Sequence, residues 1–513
     1  MRKGPLDLLA PASYKGRRGP GSPGGTGDGT RRGRPFADAE RVESGTARRL
    51  KRETMGKPKR TADLREGAAP FLKIRCADGG EAPGSPTRPL STYEELIRSL
   101  SDRLVEAQRP IRILDAIKWD DDVERAFFAA RCRKLPPVTR DYYLSRPLPF
   151  DPERKRQDFL DIERDIRQRL GKYNAAGQIM TRRCAEYRQV LDLLINRGTP
   201  AFAALSKRLY GSSADRFHAG DANLADLGRT LAAPLDNLSR DEILGAAEPV
   251  LDAREAVRLL STRLAEFFQD PAVVRVCLSD GIVADAAAGG GCIKLRKDAC
   301  FTPREIRLLE VHEGWVHLGT TRNGQRQPIC TFLSKGPPSS TVTQEGLAVL
   351  TEILSFASYP ARVRRLAHRV EGVARAESGA DFLDVYRYFL EEGYEPRTSY
   401  RHTMRLFRGS LPAGCGPFTK DLSYSKGFIH LYSFLRRAAT RGMVPRVPLL
   451  FCGKTSLDDI QTLTLLADEG LLSPPRYVPP PFANLHALSA WLSYANFFAS
   501  LSPQRNHPTE PEA

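Results

Sequence analysis

A chain of 513 residues, 41% of them hydrophobic, has room for one large domain or two to three ordinary ones and ample material for a buried core. Its formal charge of +17 points at first toward nucleic acid or a membrane surface, but residues 1–60 hold 16 basic and 6 acidic side chains and so carry +10 of that excess. No apolar stretch approaches the ~20 residues of a spanning helix, and no signal-like apolar core follows the amino terminus, so no membrane segment is expected and the cytoplasm is the expected compartment.

Residues 1–89 are rich in Gly, Pro and Arg, a composition that buries too little surface to order itself. A solvated tail, or a translation start ahead of Met55, is favoured over a dedicated nucleic-acid arm. Ordered sequence begins at Ser91, where "STYEELIRSLSDRLVEA" offers an N-cap, early glutamates and apolar residues at Leu96, Leu100 and Leu104. The Pro-rich stretch 134–152 reads as an extended connection that keeps Tyr142, Tyr143, Leu144 and Phe150 for packing. Helical periodicity then dominates from Asp151 to Asp270, as in Phe159, Ile162, Ile166 and Leu170. The strand-like "GGGCIKLR" follows, with Lys294 on an expected edge strand open to an extended peptide. Thr302-Pro-Arg-Glu305 is a capping box with Pro at the first helical position, so a helix starts at Pro303. Further helices are expected at 343–358, 381–392, 424–441, 456–471 and 484–500, with a polar tail at 502–513.

The helix from Pro303 carries His312-Glu-Gly-Trp-Val-His317. Histidines four apart lie about 40° apart around a helix and reach one ion, whereas five apart they diverge by about 140°. Two readings stand: the histidines satisfy hydrogen bonds near a helix end, or one extra residue is absorbed in a π-bulge, eased by Gly314. A third ligand decides between them. Zinc hydrolases of the His2Glu type take a carboxylate from a later helix, and Glu345 opens the next strong helix, "EGLAVLTE". Glu352, on nearly the same face, is either an acceptor that orients a ligand histidine or a surface glutamate. Given such a site, Glu313 adjoins a ligand yet points elsewhere, so it can take a proton from the attacking water and return it to the leaving amine.

Three motifs, "IKLR…FTPREIRLLEVHEGWVHLGTT", "TQEGLAVLTEI" and "RLFRGSLPAGCGPFTKDLSYSKG", together resemble the flavohaemoglobin expression-modulating QEGLA-motif proteins. That family is related to the microtubule-associated tyrosine carboxypeptidases, zinc metallopeptidases with a His-Glu-x-x-x-His motif. The resemblance implies that His312, His317 and Glu345 are zinc ligands and that Glu313 is catalytic.

A carboxypeptidase must also bind a terminal carboxylate, for which Arg405, Arg408 and Lys420 are the candidates, with Arg401 behind them. Zinc ligation by Cys292, Cys300 or Cys330 is the weaker metal reading; the nine cysteines contain no Cys-x-x-Cys pair and suit reduced thiols. Gly453-Lys454-Thr455 imitates the end of a phosphate-binding loop, but Pro448 stands where its first glycine should be. Those residues are expected to lead into a helix capped by Ser456.

The expectation is a mainly helical α+β protein of zincin type. Residues 90–501 would form a single catalytic domain, a helical layer at 90–270 and a zincin core at 271–501. It would act as a zinc-dependent, carboxypeptidase-like enzyme on a peptide or protein carboxy terminus, with no membrane partner and nucleic acid disfavoured. The alternatives are a non-catalytic zinc-binding regulator of flavohaemoglobin expression, or nucleic-acid binding through the basic tail. The oligomeric state is left open.

Overall fold

Capping chemistry starts the helices where the sequence places it. Ser91 and Glu94 form a reciprocal capping box ahead of helix Thr92–Gln108, whose Ile97, Leu100 and Leu104 are fully buried. Asp151 caps Pro152–Leu170, which packs along Ala175–Ile195 with the Phe159 and Tyr187 rings stacked at 5.4 Å. The computed structural model describes residues 88–217, 221–238, 248–282, 284–289 and 291–501. The tail expected at 1–89, save Arg88 and Pro89, and the tail at 502–513 lie outside these residues. Among the described residues no helix is long and apolar enough to cross a membrane.

The chain is mainly helical with one small mixed sheet, an α+β arrangement. The strands β1 (Val276–Ser279), β2 (Ala286–Gly289) and β3 (Cys292–Arg296) stand in the order β1-β3-β2, with β1 parallel and β2 antiparallel to β3. This corrects the edge-strand expectation for Lys294. Its strand is central, both ladders are taken, and the open edge beside the functional helix belongs to β2.

One large apolar core joins residues from Ile97 to Leu492, so amino-terminal and carboxy-terminal helices share it. A second, aromatic core gathers Trp119, Phe127, Phe382 and Tyr400, and a third packs helix Ala253–Phe268 against the sheet and Trp315. The stretch 134–152 includes a short helix, Arg140–Leu144, which buries Tyr143 but turns Leu144 outward at 60% exposure, against the packing expected of it. Two helices, Pro360–Glu377 and Pro396–Phe407, were not expected. Both begin with Pro at the first position and have no side-chain cap, so the usual start signal is missing. Ser456 makes no capping hydrogen bond, and a 3-10 turn at Leu457–Asp459 precedes helix Ile460–Asp468.

The closest helix crossing is between Pro338–Leu354 and Ser423–Thr440. Gly346 and Gly427 face each other there backbone to backbone, and a Cβ on either would overlap main-chain atoms of the other helix. Near it Glu345 meets Lys420, which stands against the Tyr424 ring.

Candidate metal centre

The capping box of Thr302 and Glu305 starts an α-helix at Pro303–Leu309, which widens into a π-helix over Glu310–Leu318 and returns to α-helix at Gly319–Gln325. The wide turn absorbs the extra residue between the two histidines. His312 and His317 converge, with ring centroids 4.8 Å apart. Gly314 has a second reason to lack a side chain, because a Cβ there would run into the buried Leu264 of the neighbouring helix. The His317 carbonyl accepts from the Thr321 hydroxyl at 2.8 Å and the Lys454 ammonium at 2.9 Å. Lys454 also donates to Thr320 and Gln344, each at 3.1 Å, tying the widened helix to the one that carries Glu345. Sequence reasoning had placed this lysine in a failed phosphate loop.

Glu345 Oε2 lies 3.3 Å from His312 Nε2 and 3.4 Å from His317 Nε2. The three donor atoms fall within 4.8 Å of one another, the one such trio of metal-ligating side chains among the described residues. Those two separations match the edge of a tetrahedron around an ion with bonds of roughly 2.0–2.1 Å, so two imidazoles and a carboxylate fit zinc in both chemistry and spacing. Cys292, Cys300 and Cys330 do not join the trio; Cys330 is buried in the apolar core and Cys300 is exposed.

Behind the trio, Glu352 is fully buried and lies 2.5 Å from His312 Nδ1. Nδ1 thus faces Glu352 and Nε2 faces Glu345, so a proton held on Nδ1 would leave Nε2 to an ion. Arg362, on the unexpected helix Pro360–Glu377, grips Glu352 with Nε at 3.1 Å and Nη2 at 3.0 Å. Burial alone would raise the Glu352 carboxyl, but Arg362 and His312 hold it down at about 2. Burial likewise opposes a charge on His312, yet hydrogen bonds with Glu345 and Glu352 raise its imidazole to about 10. Lys420 Nζ donates to Glu345 Oε1 at 3.0 Å, and with the two imidazoles it keeps that carboxylate well below its ordinary range despite burial.

Glu313 is not one of the trio. Its Oε2 accepts the backbone N–H of Ala288 in β2 at 2.8 Å, which fixes the carboxylate beside the sheet edge.

The family model for microtubule-associated tyrosine carboxypeptidases matches residues 125–500. The chain belongs to that family. The match spans every candidate site residue named from the sequence. Comparison with individual curated proteins gives no match.

The basic candidates of this family member separate by partner. Arg405 is bound to Asp421 by two hydrogen bonds, at 2.9 and 2.8 Å, and Lys420 is held by Glu345. Arg408 is buried at 4% exposure and makes no side-chain hydrogen bond among the described residues. Arg401 lies off the centre, its nearest partner Asp298 at 3.9 Å. Two residues that sequence reasoning missed stand at the centre itself, Arg362 and Tyr424. The Tyr424 ring stacks beside His312 at 6.0 Å between centroids.

Proposed function

We propose that this protein is a zinc-dependent peptidase that removes residues from the carboxy terminus of a peptide or protein, with a terminal tyrosine as the first residue to test. The observation that carries the proposal is the convergence of His312, His317 and Glu345 across a π-helix, with Glu313 between the two histidines in sequence and its carboxylate held by the Ala288 N–H. Membership of a carboxypeptidase family supports the reaction class. Under this reading the helix-and-sheet frame is zincin-like, and residues 90–501 act as one catalytic domain with a helical layer at 90–270.

His312, His317 and Glu345 would hold the ion. Bound there, zinc supplies Lewis acidity, which polarises a carbonyl and acidifies water. Glu313 takes the proton of the attacking water and passes it to the leaving amine; its hydrogen bond from Ala288 keeps one oxygen fixed while the other is available. Glu352 and Arg362 keep the His312 ring oriented, and Lys420 does the same for Glu345.

The likeness to the QEGLA-motif proteins fits this reading, because the motif has structural work here. Glu345 is the carboxylate donor and Gly346 permits the helix crossing. A cytoplasmic site accords with eight described cysteines that are all free thiols.

The experiment is trimming of a carboxy-terminal peptide library. Wild type is expected to shorten library members from that end, and Glu313→Gln to retain about one zinc per chain while losing roughly 100-fold or more in rate. Equal trimming by both proteins would remove Glu313 from the mechanism. A zinc-loaded wild type that trims nothing would favour a non-catalytic regulator.

A further inference from the structure

Three cations stand against the Tyr424 ring, Arg362 and Arg369 with Cζ at 5.7 Å and Lys420 with Nζ at 5.8 Å from its centroid. Two of them are committed, Arg362 to Glu352 and Lys420 to Glu345. Arg369 is not. Its nearest carboxylate oxygen, on Asp421, is 3.9 Å away, and that carboxylate already receives two hydrogen bonds from Arg405. Arg408 makes no side-chain hydrogen bond and no ion pair among the described residues, and the Nε atoms of both Arg369 and Arg408 are enclosed without a partner. Arg405 therefore takes the Asp421 carboxylate, and Arg369 and Arg408 are left without a hydrogen-bonded anion in a buried setting, where an uncompensated charge is costly. Burial and the neighbouring Arg405 push Arg369 and Arg408 each down to about 10, the direction expected of cations short of an anion.

We propose that Arg369 and Arg408, rather than Arg405 or Lys420, form the seat for the terminal carboxylate of the substrate, an assignment that rests on the peptidase reading above. The missing anion is supplied by the peptide itself. When one residue leaves, the terminal carboxylate lies one residue beyond the scissile carbonyl, a span of roughly 3.5 Å. A cation that reaches it through hydrogen bonds of about 2.8 Å must then sit within roughly 8–9 Å of the ion. Arg369 and the ligand His312 lie against the same ring: the Tyr424 centroid is 5.7 Å from Arg369 Cζ and 6.0 Å from the centroid of His312. Arg405 is left to hold Asp421.

The test uses zinc-loaded Glu313→Gln protein and two fluorescein-labelled peptides of identical sequence ending in tyrosine, one with a free carboxylate and one amidated. Acidic side chains are the same in both, so only the terminal group is compared. Anisotropy should show the free acid bound about tenfold or more tighter than the amide. Adding Arg369→Met or Arg408→Met should bring the acid down to the affinity of the amide, with zinc content and thermal unfolding preserved, and Arg369→Lys should retain part of the preference. No acid preference in the parent, or a preference untouched by both Met substitutions, would overturn the seat, as would an equal loss on both peptides. Trimming by wild type is measured alongside. Trimming without acid preference removes the seat alone, whereas acid preference without trimming removes the peptidase reading and leaves the seat standing.

Discussion

The Glu352 carboxylate lies 2.5 Å from Nδ1 of His312 and is itself held by Arg362. A carboxylate in this position raises the basicity of the opposite ring nitrogen, and loss of such a partner typically costs 10–100-fold in metal affinity. Glu352→Gln should therefore weaken zinc binding by about that factor, read by competition with a chromophoric chelator. Arg362→Met should weaken it less. Unchanged affinity in Glu352→Gln would show that His312 needs no carboxylate behind it.

Removal of the ion should also register in stability. Three donors on two helices are brought together by the native fold alone, so a ligand at 100 times its Kd adds about 2.7 kcal/mol. A strong chelator should lower the unfolding temperature of wild type by a few degrees and added zinc should restore it. His312→Ala and His317→Ala should unfold at the same temperature with and without the chelator. A chelator-induced drop in those variants would place the stabilising ion elsewhere.

Gly346 is the position least tolerant of one added methyl group. Its Cβ would meet the Gly427 backbone, which cannot rotate away as a side chain could. Gly346→Ala should cost about 1–3 kcal/mol or more in urea unfolding and should lower zinc affinity as well, because Glu345 moves with the helix. Gly281→Ala, which meets only ordinary contact with Ser279, should stay within about 0.5 kcal/mol of wild type. If Gly346→Ala unfolds with the control, the two helices are not in register as described.

His402 predicts an acid sensitivity. Both its ring nitrogens are enclosed without partners, between Phe389 and Tyr394. Burial and then the charges of Arg369, Arg365 and Arg405, only partly offset by Asp421, hold it well below the ordinary 6.5. The folded protein keeps this ring neutral while the unfolded chain protonates it, so unfolding takes up a proton and stability falls as pH drops below about 6.5. His402→Leu should lose less stability than wild type between pH 7.5 and pH 5. An identical loss in the two proteins would exclude His402 as a source of that slope.

The three residues of the candidate metal trio were legible because they obey local rules. A capping box fixed the start of the helix, the spacing of His312 and His317 demanded a bulge, and Glu345 lay in a strongly apolar helix, although that helix runs Pro338–Leu354 and so holds Glu345 in its middle rather than at its start. What could not be read were relationships between distant segments. Arg362 comes from a basic helix with no cap residue, and nothing in its neighbourhood announces Glu352 as its partner. Lys294 was placed on an edge because strand order depends on pairing with β1, whose "VCLS" is too short to show a period. Lys454 sat beside an incomplete phosphate motif, and its contact with His317 crosses 137 residues of chain. The helix crossing did leave a trace. Gly346 and Gly427 each interrupt a good helical pattern at about 0.8–1 kcal/mol relative to Ala, a signal that a neighbouring backbone is near.

The hydrogen bond from Ala288 to Glu313 differs in kind from every other contact at the centre. Its donor is main chain, so replacing Ala288 by another residue leaves it in place, with proline the exception. Mutational scanning of β2 would therefore pass over the role of this strand, although the placement of the Glu313 carboxylate depends on it. Evolution is free to vary the side chains along that edge, and with them whatever passes beside it, without moving the Glu313 carboxylate.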